Sequence, residues 1–192
     1  MKYTYRNLEE KYFSYYLEDL VRMGIVDTFG YETENIELTP KVEFDYVSLK
    51  TLKKSVKRTI KTKTFLREMT YTPDFVIHFN RSHGVVGLPE TKKTFISMDY
   101  TLKTYVDIKG VFVHSGNNSA ISFPLKQKFL YYTQGIYIQK IEPFALFKKT
   151  FTPSKMIDEM IYSNNRQGKW KRGDSKLKYT PVLIEDWLKS LK

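Results

Sequence analysis

Two short stretches set the tightest limits on what this chain can fold into. Tyr71-Thr-Pro-Asp-Phe-Val-Ile77 and Tyr105-Val-Asp-Ile-Lys-Gly110 are rich in β-branched and aromatic residues, and each carries one acid inside a strand pattern. Side chains alternate across a strand, so Asp107 and Lys109 share one face while Ile108 turns the other way, towards a core. Pro73 removes a ladder donor just ahead of Asp74, which suits the start or edge of a strand.

Acids and an amine on otherwise apolar strands suit metal-assisted phosphodiester hydrolysis. Carboxylates hold one or two Mg²⁺ ions that polarise a phosphoryl oxygen and acidify a bound water, and an ammonium orients that water. Composition narrows the ligand set. With no cysteine, thiolate zinc sites and cysteine nucleophiles are excluded, and three scattered histidines, His78, His83 and His114, argue against a histidine-rich centre. Any metal is therefore expected to be a hard ion held by oxygen. A net charge of +11 predicts salt-dependent attraction to a polyanion. At 192 residues and 41% hydrophobic content, the chain suits one domain with a real core and a small appendage.

Pro73-Asp74 followed by Asp107-x-Lys109 resembles the PD-(D/E)xK nuclease superfamily. The wording around these residues is similar to a phage endonuclease branch that includes Holliday-junction resolvases. The resemblance spans roughly residues 7–140 and departs in one place, with Asp107 where many members carry Glu. It implies an α/β fold, restriction-endonuclease-like, with a mixed sheet flanked by helices. It also implies a nuclease-like domain, placed over 1–148, while the residues of 149–192 read by themselves as a basic helical C-terminal extension. Glu10 on the first helix, with Glu9 as the fallback, would join Asp74, Asp107 and the Ile108 carbonyl around Mg²⁺, for which Mn²⁺ could substitute. Lys109 would assist the attacking water. The implied activity is DNA endonuclease action on branched DNA in the cytoplasm of a phage host, by a two-fold dimer if two matched cuts are made. A restriction- or repair-type nuclease on duplex or damaged DNA is the alternative enzyme, and a non-catalytic DNA-binding or packaging protein is the alternative class.

Along the chain, Asn7 to Gly24 has helical spacing at Leu8, Tyr12, Tyr16 and Leu20, with Asn7 as N-cap and Gly24 as stop. Alternation over Ile36–Val47 predicts the first strand of the sheet, and Thr64–Met69 a strand leading into the Asp74 segment. Between them, Leu52, Val56 and Ile60 at four-residue spacing predict a short basic helix that presents Lys54, Lys57, Arg58 and Lys61 to DNA. Gly and Pro between 80 and 94 mark a loop, and 95–98 resumes strand character. Ser122 to Gly135 reads as a helix with Leu125, Phe129 and Tyr132 inward, and the resemblance implies a polar or basic contribution to DNA from this helix, a place that Lys126 and Gln127 match. Ile136–Ile141 then follows as a parallel strand. A short helix opens at Thr152-Pro153, a cationic connection carries Lys171 and Arg172 as further DNA contacts, and a final helix opens at Thr180-Pro181. No run of about 18 apolar residues suggests a membrane span.

Overall fold

The computed structural model describes residues 4–53, 55–80, 102–109, 118–159 and 179–190. Most of the expected loop at 80–94, the strand expected at 95–98, Lys54, Lys171 and Arg172 lie outside the described residues.

The chain forms two compact units, one from residues 1–33 and 73–192, the other from Glu34–Thr72. The larger unit is mixed α/β. Among the described residues its sheet has four strands in the order β1-β6-β7-β8, built from β1 (Val26–Tyr31), β6 (Phe75–Phe79), β7 (Lys103–Ile108) and β8 (Ile138–Ile141). β6 runs antiparallel to both of its neighbours, β1 and β7, and β8 runs parallel to β7 after a crossover through helix α2 (Asn118–Gln134). The parallel strand after a helix is the one the sequence predicted.

Helix α1 (Leu8–Arg22) is terminated at both ends by side-chain and backbone chemistry visible in the sequence. Asn7 Oδ1 accepts from the Glu10 amide at 2.8 Å. At the other end Gly24 has φ 72°, its amide donates to the Val21 carbonyl, and the Ile25 amide donates to Leu20, which is a Schellman closure. Phe13, Tyr16, Leu17 and Leu20 are buried in one cluster with Phe75, Ile77, Val106, Ile108 and Ile141. Tyr16 stacks on Phe151 at 4.2 Å, and its hydroxyl meets Thr150 Oγ1 at 3.1 Å. Helix α3 (Pro143–Lys149), which the sequence reading missed, and helix α4 (Ile184–Ser190) add Leu146, Phe147, Ile184 and Trp187 to the same cluster. The described part of the C-terminal segment therefore packs into the core of the larger unit.

Helix α2 begins earlier than expected, at Asn118, so Pro124 falls inside it and Ser122 is not its cap. Gly135, at φ 69°, closes it as predicted. The inward stripe is also different. Leu125, Phe129 and Tyr132 are exposed, while Phe123 and Leu130 are buried.

The smaller unit overturns three strand and helix expectations. Ile36–Val47 is not one strand of the main sheet: β2 (Ile36–Thr39) pairs with β5 (Met69–Tyr71), and β3 (Val42–Leu52) pairs with β4 (Ser55–Leu66). Thr64, Phe65 and Leu66 end β4 rather than lead into the Asp74 segment. The basic helix expected around Leu52–Ile60 is absent. Those residues belong to the β3–β4 hairpin, where the run of Val, Thr and Ile favours strand over helix. Among the described residues, no helix is long and apolar enough to cross a membrane.

Candidate functional site

The β6–β7 ladder pairs Phe75 with Val106 and Val76 with Tyr105. One further step along that register sets Asp74 opposite Asp107, and directly opposed residues project to the same face. The Ile108 amide donates to Asp74 Oδ2 at 2.6 Å, tying the end of one strand to the other. Ile108, expected as a ligand through its carbonyl, thus engages Asp74 through its N–H. Asp74 and Asp107 are both buried.

Lys109 reaches back along its own face, as the alternation required. Its ammonium forms an ion pair with Asp107 Oδ2 and sits 5.1 Å from the centre of the buried Phe123 ring of α2. The Lys109 amide continues the parallel ladder by donating to Ile141 at 2.9 Å.

Burial, and then the neighbouring Asp107 charge, push the Asp74 carboxyl up from 3.8 to about 7. The Ile108 amide and the Lys109 charge work the other way, and Glu10 adds to the rise. Glu10 is therefore near enough to be felt by Asp74. Its own oxygens are engaged: Oε1 accepts from Asn7 Nδ2 at 2.7 Å, and Oε2 accepts from the Arg6 amide at 3.0 Å and the Tyr31 hydroxyl at 2.7 Å. Asn7 at the N-cap and Glu10 three residues on have capping-box spacing, but the return bonds to Glu10 come from the Asn7 side-chain amide and the Arg6 N–H rather than the Asn7 N–H, with a tyrosine from β1 added. Burial and the adjacent carboxylate hold the Tyr31 phenol well above its usual range, so it stays a donor. Glu9 is half-buried, whereas Glu10 is only 4% exposed.

Among the described residues, no group of three acids or histidines is spaced to hold a metal. Asp74, Asp107 and Lys109 come together, and Glu10 stands next to them in a separate hydrogen-bond network. Among the expected DNA contacts, Lys57, Arg58 and Lys61 are exposed on β4 and Lys126 is exposed on α2. Gln127 is instead half-buried, and its amide donates to the Ile138 carbonyl, fastening α2 to β8.

Lys140 was missed. It pairs with Asp107 in the parallel ladder, shares its face, and its ammonium lies 3.8 Å from Glu142. Only the β7–β8 register exposes that relation. Tyr31 was missed for a similar reason, since nothing local to it signals a bond to a helix cap.

No protein-family model, curated protein or solved structure matches this chain.

Proposed function

We propose that this chain is a divalent-metal-dependent DNA endonuclease with a restriction-endonuclease-like core, and more narrowly a resolvase-like enzyme for branched DNA. One observation carries the reading: Asp74 and Asp107, far apart in sequence, are buried side by side with the Lys109 ammonium against one of them. Two like charges buried together strongly favour a bound cation, and such an arrangement marks functional sites more often than structural ones.

The donor set fits a hard ion. Both carboxylates supply oxygen ligands, and burial, followed by the neighbouring Asp107 charge, holds Asp74 partly protonated near neutral pH, a state that a bound cation would relieve. Bound between Asp74 and Asp107, Mg²⁺ or Mn²⁺ would polarise a phosphate and acidify a water. Lys109, steadied over Phe123, holds its charge where it orients a water and offsets anionic charge on phosphorus oxygens. Glu10 deepens the negative field at Asp74. The charge of +11 over the whole chain supports a polyanionic substrate.

Nicking of supercoiled plasmid in Mg²⁺ tests the reading. Asp107→Asn and Lys109→Ala are each expected to slow cutting by roughly a hundredfold or more, the scale for loss of a positioned catalytic group. Cutting by Asp107→Asn at the wild-type rate would overturn the site. A second reading has its own support: the Glu10 carboxylate is engaged elsewhere, which favours a non-catalytic DNA-binding protein. Retained DNA binding with no cutting of any DNA form would decide for it. Comparison of four-way junctions with plain duplex separates the resolvase-like enzyme, with its expected two-fold dimer, from a restriction- or repair-type nuclease.

A further inference from the structure

The β3–β4 hairpin has two faces of opposite chemistry, and its ladder assigns each paired residue to one of them. On one face Phe44 opposes Lys63, Tyr46 opposes Lys61, Ser48 opposes Thr59, and Lys50 opposes Lys57. The register slips between Val42 and Glu43, leaving Phe65 as the extra residue of a bulge. Phe65 meets Phe44 edge-on at 6.1 Å, and Phe44 lies 6.3 Å from Tyr46, so all three rings belong to the lysine face. The other face carries Val47 opposite Ile60 and Leu49 opposite Arg58. It also holds both acids of the hairpin: Glu43 accepts from Thr64 at 3.0 Å, and Asp45 from Thr62 at 2.7 Å.

Four lysines and three rings thus share a face with no acid on it, along a ribbon about 35 Å long by strand geometry. The rings are open to solvent, Phe65 at 76%. A bare two-stranded ribbon is marginally stable in water, and exposed rings add a further cost that a partner would remove. Lysines demand a polyanion. Exposed ring faces demand flat apolar surfaces, which a closed duplex does not offer but unpaired bases do.

We propose that this face is a binding arm for DNA with unpaired bases. Lys50, Lys57, Lys61 and Lys63 contact phosphates, and Phe44, Tyr46 and Phe65 stack on bases. The arm deepens the nuclease reading and rests on it for the choice of DNA as the polymer.

The test is fluorescence anisotropy in EDTA with the full chain, so that binding is read without cleavage. The probes are a labelled oligothymidylate, an oligouridylate and a duplex. Lys57→Ala with Lys61→Ala is expected to weaken oligothymidylate binding and to lower the salt slope by about 1.4, or about 0.7 per phosphate contact on a single strand. Phe65→Ala is expected to lose about 5- to 100-fold on oligothymidylate and little on duplex. Val47→Thr with Ile60→Thr, on the opposite face, is expected to bind like wild type. Wild-type affinity in the lysine and Phe65 variants would overturn the arm, as would equal loss in the opposite-face variant. Tighter binding to duplex or to oligouridylate would overturn the choice of unpaired DNA. None of these outcomes depends on whether the Asp74–Asp107 site cuts.

Discussion

Asp74 is the residue whose physics is least like that of an ordinary surface carboxylate. Its folded-state pKa of about 7 lies above its ordinary value of 3.8, so between those pH values the folded chain binds more protons than the unfolded one. Stability is therefore expected to fall as pH rises from about 4 to about 7 and to level off above that. Asp74→Asn keeps an acceptor for the Ile108 amide and removes the charge. It should stabilise the protein by about 2–4 kcal/mol at neutral pH, with the gain shrinking to nothing near pH 4. Urea melts of both proteins across that range check this, and a gain independent of pH would refute it. That Asp107 and Lys109 share a face was legible in the sequence from strand alternation, and the structure sets Asp74 at the facing end of the neighbouring strand. The Tyr31 bond to Glu10 was not legible there, because it joins residues that only the packed fold brings together.

At the scale of elements, α1 was legible to within a residue because its signals are local: a capping asparagine, an apolar stripe and a glycine stop. The hairpin was misread because Leu52, Val56 and Ile60 happen to repeat at the helical period. With those side chains exposed, no buried helix face enforces that period, and the β-branched propensity of the segment decides. Helix α2 failed similarly, since its aromatic residues are abundant enough to outline two stripes and only packing selects Phe123 and Leu130. One consequence for α1 was also invisible in sequence. Asp19, buried near its end, accepts from the Ser154 amide at 2.8 Å and from Ser154 Oγ at 3.1 Å, capping the helical segment at 154–159. Asp19→Ala is expected to cost about 1–2 kcal/mol in a thermal or urea melt, because a half-buried helix amide loses its acceptor. Unchanged stability would mean that water replaces the cap.

For the whole molecule, the informative fact is where the second unit enters the chain. Strands β1 and β6 are antiparallel neighbours, with Tyr31 paired to Phe75, and the Glu32 amide donates to the Asp74 carbonyl at 3.0 Å. The chain therefore leaves the larger unit at Thr33 and returns at Pro73 across the width of one strand pair, a gap that a tight turn spans. Seen this way, Glu34–Thr72 is an elaborate hairpin connection, and the core residues of the larger unit all come from outside it. Replacing 34–72 with an Asn-Gly turn should leave a cooperatively folded protein in which Asp74 still faces Asp107. Loop-closure entropy favours the shorter connection by about 1–3 kcal/mol, so its melting temperature should equal or exceed that of the full chain. The same variant should lose the affinity for unpaired DNA assigned to the hairpin while keeping any plasmid nicking that the Asp74–Asp107 site performs. Circular dichroism melts, anisotropy and nicking, measured on this one variant, read the three expectations separately. A molten or insoluble product would show that the second unit is needed to fold the first, and retained anisotropy at wild-type affinity would move nucleic-acid binding off the hairpin.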